Sequence, residues 1–159
     1  MTFLCTHHRN ELSKNPIKAL HDWQDWIHKG SEHLRCNELS RALSYFGCAF
    51  ELSELLLEQP SHFIETQLKR IDRFMVSGFY LAELYRQEHQ HDLEGQLLVH
   101  IHSALEQFSR HSSTLRKRLV DNIEFSALMI EQYYTRSEES AANQLVRTHP
   151  HLTHSIQLN

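Results

Sequence analysis

Residues 26–49 read WIHKGSEHLRCNELSRALSYFGCA, and the spacing within them decides the fold class. Gly30 follows Trp26 by four positions, then come His33, Ala42, Phe46 and Ala49, with a polar break at Cys36-Asn37-Glu38 between two apolar periodic runs. Apolar residues recurring at steps of three and four mark one face of a helix. The stretch therefore predicts two helices packed antiparallel. Ala42 and Ala49 are small and Gly30 faces them, so the axes can approach toward the low end of the usual separation of about 8–10 Å while Trp26 and Phe46 fill the flanking space.

Working outward, Asn15-Pro16 is a helix start, an N-cap followed by proline at the first helical position, where a missing N–H costs nothing. Ile17, Leu20, Trp23, Ile27, Gly30 and Leu34 continue as one stripe that ends near Arg35. Asn37 is expected to cap the next helix, whose buried stripe runs from Leu39 through Phe46 to Leu56 and stops at Gln59-Pro60. Ser61 opens a third helix, with Ile64, Leu68, Ile71, Met75, Gly78, Ala82 and Tyr85 in four-three alternation and an end near Gln90. Leu93, Leu97, Ile101, Ala104 and Phe108 form its return helix. A last pair begins at Ser112-Ser113-Thr114 and runs from Leu115 to Tyr134. Thr135-Arg136 is read as a break, after which Ser137-Glu138-Glu139 starts a short amphipathic helix. Residues 1–14 are read as a flexible arm or a short extra turn, 15–148 as the helical domain, and 149–159 as a loosely held tail.

The expected fold class is thus all-α, built of three consecutive antiparallel helix pairs. Unit starts at Trp26, Phe74 and about Ile123 lie 48 and 49 residues apart, a regularity that favours a repeat array. A compact helical bundle is the alternative. Composition agrees with helix: among 159 residues there are only four glycines and three prolines, with 40% hydrophobic and 23% charged residues. The net charge of −4 is spread over both halves, so neither half is strongly attractive to nucleic acid or to an anionic membrane. Cys5, Cys36 and Cys48 are an odd number without metal-ligand spacing, which suggests neither a disulfide framework nor a cysteine-rich zinc site. The first residues lack the charge and apolar run of a signal peptide, and no apolar stretch is long enough to span a bilayer. A cytoplasmic location is expected.

The 26–49 pattern resembles one tetratricopeptide (TPR) unit, whose signature is W-x2-L-G-x2-Y, then A-x3-F, A and P. Trp26, Gly30, Ala42, Phe46 and Ala49 match it; Lys29 replaces the usual Leu, His33 the Tyr, and Glu54 the Pro. A second unit aligns more loosely, with Phe74, Gly78 and Leu81 in the first helix and Leu97, Ile101 and Ala104 in the second. The resemblance implies a right-handed α-α superhelix whose inner groove holds a peptide or helix of another protein. Groove-facing positions would be Gln24, Ile27, Ser31, Leu34 and Arg35 in the first unit, and Asp72, Met75, Phe79, Ala82 and Glu83 in the second. In the third they would be Asp121, Glu124, Leu128 and Glu131. Exposed Met75 and Phe79 beside Arg35 and Asp72 would give an apolar groove with charges of both signs. Ile27, Met75 and Phe79 have a plainer reading as core.

No glycine-rich phosphate loop and no nucleophile elbow is present, so the sequence predicts a non-enzyme with no cofactor. Fourteen histidines are the compositional oddity, and full protonation would carry the formal charge from −4 to +10. His7-His8, His89/His91, His100/His102 and His149/His151/His154 are candidate metal ligands. Residues two apart on a helix point about 200° apart, however, so His100 and His102 cannot share an ion unaided. Glu88 and His91 make half of a di-iron carboxylate motif, and no second half occurs. Solvent-facing histidines are the expected reading, with no metal site. The run Arg110-His111 with Arg116-Lys117-Arg118 spreads around a helix and lacks interleaved aromatics. Function is therefore expected to be that of an interaction scaffold, adaptor or small chaperone for another protein. The alternatives are a regulator touching nucleic acid through residues 110–118 and a histidine-rich metal-binding bundle.

Overall fold

The computed structural model describes residues 2–59, 63–111 and 113–148, with the backbone alone described at 64, 111 and 142–148. Among the described residues there are six helices and no strand: α1 Thr6–Lys14, α2 Pro16–Arg35, α3 Leu39–Leu57, α4 Ile64–Gln87, α5 His91–His111 and α6 Ser113–Thr148. The protein is all-α.

Helix ends follow local chemistry. The Asn15 side chain accepts from the Lys18 backbone N–H at 3.1 Å and Pro16 takes the first helical position, as the sequence predicts. Asn37 does not cap α3. It adopts a left-handed conformation (φ 58°) that closes α2, donating its N–H to the Leu34 carbonyl while Glu38 donates to His33, the paired bonds of a Schellman ending. His89 (φ 57°) ends α4 in the same way, with His89 donating to Arg86 and Gln90 to Tyr85. Each of these hairpins therefore turns through a single left-handed residue.

The helices pack antiparallel in chain order, and extensive packing joins α2 to α3, α3 to α4, α4 to α5 and α5 to α6. Side chains link alternate helices too. Arg73 of α4 lies over the Trp23 ring of α2, the Phe79 and Phe125 rings join α4 to α6, and the Glu54–His100 hydrogen bond joins α3 to α5. Two layers result, α2-α4-α6 and α3-α5. The partners in these lateral contacts are 46 to 50 residues apart, close to the spacing of unit starts seen in the sequence.

One core cluster runs through α3, α4, α5 and the start of α6, around Phe46, Phe74, Leu84, Ile101, Leu105 and Leu119. A smaller one lies where α1 and α2 meet α3, around Leu4, Leu12, Ala19, Leu52 and Leu56. Trp26 belongs to the second cluster rather than beside Phe46. Gly30 lies against the ring of Phe46, on the same stripe as Ala42 and Ala49: a methyl carbon built on Gly30 would sit 2.8 Å from that ring. Gly78 plays the same part for Ile101 and Phe50, so α4 lies close to two neighbours at one point.

The segment expected as a flexible arm or a short extra turn carries a nine-residue helix. Leu4 and Leu12 are buried, and the Phe3 ring lies against Gly47. Glu51, 7% exposed, accepts the backbone N–H groups of Phe3 and Leu4 at 2.7 and 2.8 Å and the Arg9 guanidinium at 3.1 Å. The break expected at Thr135-Arg136 does not occur, because neither residue interrupts a helix. The Thr135 hydroxyl donates back to the Glu131 carbonyl and Arg136 reaches across to Glu94, so α6 is one helix of 36 residues and the third pair is a single long helix. The Pro60 stop, the Ser61 start and the 149–159 tail fall outside the described residues.

Candidate functional site

The sequence-derived groove positions divide in two. Ala82 is 3% exposed and is core, while Ile27, Leu34, Met75 and Phe79 are partly buried and packed on the main cluster. The expectation of an exposed Met75–Phe79 pair is thereby corrected. Asn122 donates to the Met75 sulfur at 3.1 Å, and the Phe79 ring meets Phe125 edge to face at 5.2 Å. Both side chains thus form part of the seam between α4 and α6. Gln24, Arg35 and Asp72 are exposed. Ser31 returns its hydroxyl to the Ile27 carbonyl, and Glu83 pairs with Arg86 and Gln87. On α6, Asp121, Glu124, Leu128 and Glu131 are all exposed.

The apolar side chains that face outward on α4 lie elsewhere in the register, at Val76 and Tyr80. Residues three and four apart share a helix face, so Val76, Phe79, Tyr80 and Glu83 form one surface. Tyr80 is held there by stacking on buried Phe46 at 4.6 Å. Phe79 carries the surface to Phe125 on α6, and Leu128 lies one turn further along that helix; both are about half exposed, 48% and 47%. The signal for Val76 and Tyr80 is present in the sequence as a second apolar stripe beside the core stripe. The TPR alignment selected its neighbours.

A second concavity lies between the α4–α5 turn and α6. It encloses about 440 Å3 and is lined by Arg86, His89, His91, Glu94, Tyr133, Arg136, Ser137, Ser140 and Ala141. Gly95 leaves room for the Tyr133 ring, which a methyl carbon there would meet at 2.6 Å. His89 and His91, candidate metal ligands by sequence, stand here beside Arg86, Glu94 and Arg136, which carry no motif that marks them. The pairing of Glu94 with a residue 42 positions later depends on α6 continuing past Thr135.

The histidines disperse. His100 Nε2 meets Glu54 Oε1 on α3 at 2.8 Å, while His102 Nδ1 meets Ser126 Oγ on α6 at 2.8 Å, opposite directions as their spacing requires. The hydrogen bond to the Glu54 carboxylate raises the His100 pKa against the opposing effect of burial. Among the described residues no three His, Cys, Asp or Glu side chains gather as a metal site; His149, His151 and His154 lie outside them. Cys48 is held as a thiol by burial and by the nearby Glu51 charge, its pKa pushed up to about 11. In the basic run, Arg110 pairs with Glu106 and Arg118 with Glu65, and Arg116 donates to the Ser109 carbonyl. No helix among the described residues is long and apolar enough to cross a membrane.

Fold and surfaces together define an all-helical protein of the helical-repeat or bundle class, with an apolar outward face on α4 and α6 and a charged cleft between the α4–α5 turn and α6. The chain belongs to the family described as proteins of unknown function (DUF2753), which it matches over residues 21–157. That match takes in the helices from most of α2 onward and leaves out α1 and its anchoring segment. No curated protein and no solved structure shows significant similarity to it.

Proposed function

We propose that the protein is a cytoplasmic interaction scaffold, an adaptor or small chaperone, with a TPR-like arrangement in which the α4–α6 face holds a peptide or helix of another protein. The observation that carries this reading is the outward apolar surface formed by Val76 and Tyr80 and continued through Phe79 and Phe125 to Leu128. A helix-in-groove partner needs apolar anchors at such spacings. Exposed Asp72 on α4, with Asp121, Glu124 and Glu131 on α6, borders the surface with negative charge, so a partner segment carrying apolar and basic residues fits it. Support for the repeat reading comes from lateral contacts 46 to 50 residues apart and from two hairpins closed by the same left-handed turn.

Affinity capture from native lysate with wild type and a Val76→Glu/Leu128→Glu variant tests the face. Both positions are exposed, so the variant keeps the wild-type helical signal and melting temperature. Loss of a specific partner from the folded variant is the expected result. Equal capture by both proteins would sink the proposed face.

A further inference from the structure

We propose that the cleft between the α4–α5 turn and α6 binds a small phosphorylated molecule by its phosphate. Its size, about 440 Å3, falls within the range of about 300–1,000 Å3 usual for small-molecule sites and leaves much more room than the ion alone requires. Its floor is an ion pair: the Glu94 side chain is 4% exposed and its Oε1 accepts from Arg136 Nη2 at 2.6 Å. A guanidinium carries five N–H donors in a rigid plane. Anchoring one edge on a buried carboxylate fixes that plane and leaves further donors at the cleft.

Arg86 reaches the same cleft from the last turn of α4, braced by Glu83. Ser137 and Ser140 add hydroxyls from α6. Tyr133 lies one turn before Arg136, and its hydroxyl is kept as a donor because burial and the charges of Asp92 and Glu94 raise its pKa. The imidazoles of His89 and His91 stand at the turn with ring centres 6.0 Å apart. Against this set Glu94 is the one acidic lining residue, and Arg136 already engages it. Each lining arginine thus has one carboxylate partner, Glu83 for Arg86 and Glu94 for Arg136, and the attraction for an anion comes from the guanidinium, imidazole and hydroxyl donors that remain at the cleft.

Anion shape decides between ligands. A planar carboxylate presents two oxygens in one plane and is satisfied by a single guanidinium fork. Here donors arrive from α4, from the turn and from α6. A phosphate monoester presents three terminal oxygens in a tetrahedron and can accept from all three directions. Ala141 and the Tyr133 ring supply apolar wall for the organic part of the ligand. The cleft adjoins the Val76–Leu128 face through Arg136 and Glu83, but the proposal rests on the cleft's own donors and not on the scaffold reading.

Calorimetric titration of the full chain at low ionic strength tests it, with inorganic phosphate and phenyl phosphate as probes and acetate as the planar control. The expected result is saturable binding at one site per chain, with phenyl phosphate at least as tight as phosphate and acetate weaker by about tenfold or more. Arg86→Gln leaves the Glu94–Arg136 floor intact and should weaken phosphate binding by about tenfold while the ligand-free melting temperature stays unchanged. Ser140→Ala should weaken it by a smaller factor. Absence of saturable heat from both phosphates, equal binding by acetate, or an Arg86→Gln protein that binds phosphate as the wild type does would each overturn the proposal.

Discussion

At Gly30 α2 lies directly against the aromatic interior, because the Phe46 ring occupies the space a side chain would need. Phe46 is fully buried and stacked on Tyr80, so it cannot retreat without disturbing α4 as well. Gly30→Val should therefore destabilise the protein by about 1–3 kcal/mol through overpacking, and an unchanged denaturation midpoint would show that the crossing is looser than described. The glycine was legible as a packing residue from its four-residue offset to Trp26. Its nearest contact was not, since Ala42, Phe46 and Ala49 share one stripe and periodicity cannot say that the Phe46 ring lies nearest. Asn37 shows the same limit differently. Asparagine suits both an N-cap and a left-handed helix ending, and the three-residue connection to Leu39 settles in favour of the ending.

Among the elements, α1 depends most on a few contacts. Its anchoring segment is fixed by Leu4 and Leu12 and by a carboxylate that receives two consecutive backbone amides and an arginine. Glu51→Ala would leave those amides without their acceptor, at a cost of about 1–3 kcal/mol. Hydrogen exchange at Phe3 and Leu4 should then speed up far more than exchange in α5; uniform change across the chain would count against a local anchor. The sequence did not reveal α1 because nine mostly polar residues with one buried leucine carry no periodic stripe. Continuity of α6 was obscured for the opposite reason. Thr135-Arg136 looked like a polar break, yet with no glycine or proline there the helical bonds persist, and Arg136 gains a buried partner in Glu94. Helix existence and order were readable from apolar spacing, whereas the charged cleft was not, since it is assembled by residues 42 positions apart.

Across the whole molecule, His100 links the α3-α5 layer and stands edge-on to the Phe50 and Phe74 rings, with Glu54 as the carboxylate facing it. Its folded pKa is raised, so the stabilisation it gives is fully present below the unfolded value of about 6.5 and is lost as pH rises through the folded value. The imidazole is about half exposed, which keeps the effect modest through solvent screening. His100→Gln should lower the melting temperature more at about pH 6 than at about pH 8.5, and equal losses at the two pH values would remove the charged link.

The order of packing along the chain also sets the entropy of assembly. Each of α2 to α5 meets its successor across a connection of only a few residues, so those hairpins close small loops. The bonds from Glu51 to Phe3 and Leu4 enclose a much larger loop, spanning 48 and 47 positions. Ring closure costs about 0.6 kcal/mol more for each doubling of length. The N-terminal clasp is thus a closure of the same order as the Phe50–His100 contact on α3, which spans 50 positions, and the short-range hairpins are the template on which both settle.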